Sequence, residues 1–197
     1  MSDDDDLFVA DDAATPLTPE ERRDLIPSYV ALRSELNEVE ALNVAAGERW
    51  AFSRKRDVLD EVFLQRLHLR MFGDVWRWAG KYRSSERNIG VASYTIPVAM
   101  RQTIDDAKYW IEQKSWPPDE LAVRFSHKLV SVHPFPNGNG RWSRLAGDLL
   151  ARQLGEERFT WGSASIVSIS DTRRAYIEAL KNADGGDILP LLAFARS

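Results

Sequence analysis

Apolar residues recur every three or four positions through most of this 197-residue chain, a spacing that is typical of amphipathic helices. The pattern predicts a long helix over residues 28–53 and a second helix that Asp57 caps and Gly73 ends. The same spacing predicts further helices over residues 97–114 and 119–132 and a helix that ends near residue 154. Two more helices are predicted to begin at residues 170 and 187. The sequence therefore predicts a mainly α-helical bundle.

The segment between Trp78 and Pro97 departs from the helical pattern. It contains two glycines, several polar residues and the β-favouring stretches 81–83 and 91–96. Such stretches, separated by turn residues, are typical of a hairpin. We therefore expect a short β-hairpin flap between two helices.

Composition excludes several classes of protein. The chain has no cysteine, which excludes a disulfide framework, a thiolate zinc site and a cysteine nucleophile. Residues 1–16 are acidic and small, so we expect a flexible N-terminus ahead of a single domain over residues 17–197. No stretch approaches the roughly 18 apolar residues of a membrane span, and the start lacks the features of a secretory signal. We therefore expect a cytoplasmic protein without a membrane partner.

Residues 133–144 read His-Pro-Phe-Pro-Asn-Gly-Asn-Gly-Arg-Trp-Ser-Arg and lie between two predicted helices. The two glycines let backbone amides approach a ligand closely, and the start of the following helix presents unpaired N–H groups and a positive dipole end. Arg141 and Arg144 add two cations one helical turn apart. These features predict a site for a di- or triphosphate. His133 lies a few residues away, where a general base could act on a nucleophile attacking the phosphate.

The arginines of the helix that starts at Arg141 allow a different interpretation, a basic face that binds nucleic acid. Leucines and alanines interleave these arginines as a core face. The whole chain is acidic, with a formal net charge of -4, whereas surfaces that bind nucleic acid are usually strongly basic. These observations argue against nucleic acid as a partner.

The stretch 133–144 resembles the signature of the Fic (filamentation induced by cAMP) domain, H-x-F-x-[D/E]-G-N-G-R-x-x-R. The resemblance implies a Fic-type helical bundle with a β-hairpin flap ahead of the motif, and it covers most of the chain. The helix containing Glu35 to Glu38 and the Pro136-Asn137 pair are most similar to the group called mobile mystery protein B.

The resemblance also implies a reaction. Fic-type protein adenylyltransferases (AMPylators) transfer AMP from ATP to a hydroxyl side chain of a target protein and release pyrophosphate. ATP and Mg²⁺ would serve as cofactors, and a target protein of unknown identity would dock at the flap, at about residues 81–96. Backbone amides, arginines and a metal would supply the charge neutralisation that phosphoryl transfer requires.

The roles of individual residues follow from the same resemblance. His133 would deprotonate the target hydroxyl, and Phe135 would anchor the loop in the core. The remaining motif residues would bind the nucleotide, with an anion cradle formed by Gly138, Asn139 and Gly140, phosphate oxygens contacted by Arg141 and the outer phosphate held by Arg144.

Asn137 departs from the Fic signature, which has Asp or Glu at this position as the Mg²⁺ ligand. An amide offers a neutral oxygen, which attracts a hard cation less strongly than a carboxylate does. Asn137 is therefore a weak metal ligand at most. Three outcomes stay open: a slow AMP transferase, transfer of another phosphate-containing moiety with a different nucleotide or metal arrangement, or a catalytically weak or inactive nucleotide-binding or interaction protein.

The long helix over residues 28–53 also carries a possible inhibitory element. Many Fic proteins contain [S/T]-x-x-x-E-[G/N], whose glutamate pairs with the second arginine of the motif and obstructs the outer phosphate. Ser34 to Glu38 match the first five positions, and Val39 departs at the last. The resemblance thus implies autoinhibition through a Glu38–Arg144 pair; the alternative is a solvated acidic helix face.

Overall fold

The computed structural model describes residues 18–163 and 169–197, so the expected flexible N-terminus at residues 1–16 lies outside the described residues. Within these ranges the chain forms eight α-helices and one short 3₁₀ helix, Ser93–Thr95. The α-helices are α1 (Pro19–Arg22), α2 (Arg33–Phe52), α3 (Glu61–Phe72), α4 (Ile96–Gln113), α5 (Pro118–Val132), α6 (Asn139–Gln153), α7 (Ile169–Asp184) and α8 (Leu189–Arg196). The prediction of a mainly helical fold is confirmed.

Two predicted helix starts are wrong. The first long helix begins at Arg33 and not near residue 28, because the Glu35 carboxylate accepts the N–H groups of Ala31 and Leu32 and so caps the helix there. Asp60, and not Asp57, is the N-cap of α3, since its carboxylate accepts the N–H of Val62 at 3.0 Å.

Helices α2, α3 and α6 pack together and position the motif. A Cβ at Gly47 of α2 would lie 2.8 Å from the carbonyl oxygen of Arg70 in α3, so the two helices are in close backbone contact there. On the other side of α3, the fully buried indole of Trp142 in α6 donates its N–H to the Leu64 carbonyl at 2.9 Å. The start of α6 is thereby held against α3.

The predicted β-hairpin flap is absent: the part of the chain that the structure describes between residues 78 and 97 contains turns, bends and the 3₁₀ helix, and no strand. We call residues 81–96 the flap segment. Its backbone N–H groups at Arg83 and Val91 donate to the carbonyls of Pro134 and Val132, at 2.9 and 3.3 Å. These donors therefore bind the end of α5 and the motif loop, and not a facing strand.

None of the helices described in residues 18–163 and 169–197 combines the length and the apolar content that crossing a membrane requires.

Candidate active site

His133 follows the last residue of α5 and adopts the left-handed conformation, with φ 53°. This conformation is uncommon for residues other than glycine and turns the chain sharply away from the helix axis. The residue is only 7% exposed. The predicted base thus lies in a turn between α5 and the motif loop, shielded from bulk water.

The surroundings of His133 keep its imidazole neutral. Burial, followed by the nearby cations of Arg83 and Arg87, lowers the pKa of His133 to about 4, although a hydrogen bond with the backbone of Val130 opposes this shift. At neutral pH one ring nitrogen of such a histidine carries a proton and the other carries a lone pair. This protonation state is the one that a general base requires.

Phe135 and Asn139 close the motif loop. The Asn139 amide accepts the N–H of Phe135 at 3.0 Å and donates to the Phe135 carbonyl at 2.8 Å. The Phe135 ring is fully buried and packs edge-on against Trp142, with centroids 4.9 Å apart. Phe135 thus lies where an anchor would lie. Both polar groups of the Asn139 side chain bond to the backbone of Phe135. Asn139 could therefore contribute only its backbone N–H to an anion cradle.

His68 in α3 also holds the motif loop. Its Nδ1 accepts the N–H of Gly80 at 3.0 Å, so Nε2 carries the proton and donates to the Asn137 carbonyl, also at 3.0 Å. Burial, and secondarily the charge of Arg141, lowers the pKa of His68 to about 3, while the Asn137 contact opposes the shift. A histidine within an apolar helical stripe was the only sequence signal for this contact.

Gly138 begins the anion cradle. It has φ 78°, and a Cβ on it would lie 2.6 Å from the ring of Phe72. Glycine is therefore required for both conformation and space. The N–H groups of the first turn of α6, which includes Gly140, lack acceptors within the helix and lie at the positive end of its dipole. This arrangement can bind phosphate oxygens.

The two motif arginines have different surroundings. Nη2 of Arg141 lies 2.8 Å from a carboxylate oxygen of Glu40 in α2. The guanidinium of Arg144 lies over the ring of Tyr176 in α7, 4.8 Å from its centroid, and Arg144 forms no ion pair in the described parts of the chain. Arg144 is thus available to an anion, whereas Arg141 is held by α2.

The contact between α2 and the motif differs from the predicted inhibitory pair of Glu38 with Arg144. It joins Glu40 to Arg141. Ser34 and Glu38 lie on the exposed side of α2, and no ion pair joins Glu38 to Arg144 in the part of the chain that the structure describes. Glu40 lies four residues after the buried Leu36 and three before the buried Asn43, so helical periodicity places it on the inner face. Glu38, two positions away, lies on a different face.

The residues present do not fit a tightly held Mg²⁺. The amide oxygen of Asn137, the atom that would face a metal, accepts the N–H of Gly138 at 2.5 Å. Within the described residues, no group of three or more His, Asp or Glu side chains could hold a metal ion. One neutral oxygen already engaged in a hydrogen bond is a poor ligand set for a hard cation.

Residues 58–151 match the family model described as Fic/DOC family. Among curated proteins, the chain is 27% identical over 146 residues to the protein adenylyltransferase fic-1 of Caenorhabditis elegans, covering 72% of this chain and 27% of that protein. It is 30% identical over 132 residues to the protein adenylyltransferase Fic of Nematostella vectensis, covering 65% of this chain and 29% of that protein. The chain thus spans less than a third of the length of these relatives.

Solved structures share the fold. The chain superposes on the BepC protein of Bartonella tribocorum, which was solved with bound AMPPNP, with a TM-score of 0.69 and 18% identity over 91% of this chain and 97% of that one. It also superposes on residues 134–508 of C. elegans Fic-1, with a TM-score of 0.62 and 22% identity over 89% of this chain and 51% of that one. Residues 58–151 are thus similar to the Fic/DOC family, and the described residues share the fold of these solved Fic structures.

Proposed function

We propose that this chain is a Fic-type nucleotidyltransferase that transfers AMP from ATP to a hydroxyl side chain of a target protein. The observation that carries the proposal is a buried, neutral His133 next to the cradle at the start of α6. The names of the curated relatives and the AMPPNP bound to BepC support the choice of reaction and nucleotide.

In this reaction the target hydroxyl oxygen attacks the α-phosphorus of ATP, and the bond from that phosphorus to the oxygen bridging the α- and β-phosphates breaks. His133 takes the hydroxyl proton, and pyrophosphate leaves. The N–H groups at the start of α6 stabilise charge on phosphate oxygens, and Arg144 neutralises the departing phosphates. Mg²⁺, when it accompanies ATP, would neutralise further phosphate charge.

We also propose that α2 restrains this activity. A carboxylate that holds Arg141 competes with phosphate oxygens for the same guanidinium donors. This proposal keeps the autoinhibition expected from the sequence and assigns it to Glu40 and Arg141. Docking of the target at the flap segment, a cytoplasmic location and the likeness to the mobile mystery protein B group stay predictions.

A second candidate function is nucleotide binding without transfer, which the engaged amide oxygen of Asn137 favours. Incubation with ATP labelled on the α-phosphate, in parallel with ATP labelled on the γ-phosphate, tests both. Covalent labelling of protein by the α-label alone, lost in His133→Ala, would support AMP transfer. Nucleotide binding without covalent label in the parent and in Glu40→Gln, with Mg²⁺ present and with cell lysate as the source of target, would favour the second function.

A further inference from the structure

Arg83 in the flap segment is a buried cation that forms no ion pair within the described residues. Only 3% of the residue is exposed. A buried charge without a counter-ion is costly unless hydrogen bonds replace its hydration. The hydrogen-bond acceptors of the guanidinium therefore show which backbone segments Arg83 holds.

The guanidinium of Arg83 donates to three backbone carbonyls. Nε donates to His133 at 2.7 Å, Nη1 to Ser85 at 2.9 Å and Nη2 to Val91 at 2.5 Å. One acceptor belongs to the predicted base, and the other two lie in the flap segment, six residues apart. Because the fork of an arginine is planar and rigid, these three acceptors are held in one fixed arrangement.

Two further close approaches join the flap segment to the base and to the residue that follows it. The backbone N–H of Arg83 donates to the Pro134 carbonyl at 2.9 Å. A Cβ on Gly90 would lie 2.5 Å from the Cβ of His133 and 3.0 Å from Nη2 of Arg83, so the backbone of the segment passes directly against the base. A shift of Arg83 would therefore move both the base and the segment beside it.

We propose that Arg83 is a positioning residue that fixes the backbone of His133 relative to the flap segment. A target hydroxyl that docks along this segment would then lie within reach of the His133 imidazole. This inference rests on the proposed function. The same cation also helps to keep His133 neutral. Lysine could keep the charge, but a single ammonium group cannot reproduce the planar fork.

The experiment compares Arg83→Ala, Arg83→Lys and the control Arg101→Ala, an exposed arginine of α4 outside the site. We expect Arg83→Ala to lower the labelling rate at saturating ATP about 100-fold, because misplacing a base by about 1 Å has an effect of that size. ATP affinity, measured by calorimetry, should change less than about threefold, since the cradle does not contact Arg83. Guanidinium ion at tens of millimolar should restore part of the rate, whereas urea, a neutral molecule of similar shape, should not.

Hydrogen exchange gives a readout independent of activity. Peptides covering residues 85–91 and 129–135 should both exchange faster in Arg83→Ala and Arg83→Lys than in the parent, and neither should change in Arg101→Ala. If Arg83→Ala does not fold, Arg83→Lys carries the test, because lysine keeps the charge and most of the buried stem.

Parent-like labelling and parent-like exchange in Arg83→Lys would overturn the positioning role, as would an equal loss of ATP affinity and rate. Absence of labelling in both the parent and Glu40→Gln would instead contradict the proposed function, and the exchange comparison would still decide whether Arg83 holds both segments.

Discussion

Glu40 joins α2 to the motif helix through Arg141. One carboxylate oxygen lies 2.8 Å from Nη2 of Arg141, and the other accepts the indole N–H of the buried Trp76 at 2.7 Å. The Glu40 side chain is 12% exposed and that of Arg141 is 36% exposed. The Trp76 indole thus orients the Glu40 carboxylate. This carboxylate pairs with Arg141, a cation that is expected to bind phosphate.

Glu40→Gln should release Arg141, because glutamine keeps the size and the acceptor for Trp76 but loses the charge. Since Arg141 is partly exposed, we expect only about two- to fivefold tighter ATP binding by calorimetry, with a rise in any self-labelling. Glu38→Gln is the matched control on the exposed side of the same helix and should leave both unchanged. Equal affinities in the two variants and the parent would contradict the role of Glu40.

Replacing His133 by Ala should reduce any AMP transfer by roughly 10²–10⁴-fold, the usual contribution of a general base. ATP affinity should stay within a few fold of the parent, because the base acts on the attacking hydroxyl and not on the phosphates. Calorimetry and α-label incorporation measure the two quantities separately. Affinity lost together with activity, or an unchanged rate, would show that His133 is not the base.

Acid should destabilise the folded protein below about pH 6.5. The pKa is depressed to about 3 for His68 and to about 4 for His133, so the unfolded chain binds two more protons at these sites as the pH falls from 6.5 towards 4. Burial raises the pKa of Asp148 to about 6, so below about pH 6 the folded state binds one more proton at this site than the unfolded chain and opposes the trend. The unfolding free energy should therefore fall by about 1.4 kcal/mol per pH unit for each net proton.

Urea denaturation at pH 7, 6, 5 and 4.5 measures this pH dependence. Asp148→Asn should steepen the loss of unfolding free energy between pH 6 and 4, because it removes the opposing proton, and His133→Asn should make it shallower. A stability that is constant over this range in all three proteins would contradict the assignment of buried neutral histidines.

Asn137→Asp should create the anionic ligand that the Fic signature has at this position. The two side chains have nearly the same size, and the carboxylate could still accept the N–H of Gly138. We expect Asp to tighten binding of ATP with Mg²⁺ relative to ATP in EDTA, and to raise transfer activity only when metal is present. An improvement that persists in EDTA would indicate better loop packing, and a loss of activity would mean that the Asn137 amide contacts the nucleotide itself.

Local sequence patterns predicted most of the secondary structure, because helix periodicity and turn chemistry depend on neighbouring residues in the chain. The spacing of apolar residues identified the long helices, and the 133–144 stretch predicted a loop that leads into a helix start. The need for glycine at position 138 could also be anticipated, although only the structure shows that Phe72 fills the space a side chain would take.

By itself, the sequence determined most of the helices and the Fic-like signature and led to the hypothesis that His133 is the base, since each is encoded within about a dozen consecutive residues. Only the tertiary structure decided that Glu40 and not Glu38 meets the motif, that the flap segment pairs with the motif loop and not with itself, and that His68 and Arg83 hold that loop. These pairings join residues that lie 50 to 101 positions apart, such as Arg83 with His133 and Glu40 with Arg141. Such distant pairs depend on the angle at which helices pack and on which of many backbone donors reaches a given acceptor. Neither can be derived from the spacing of neighbouring residues.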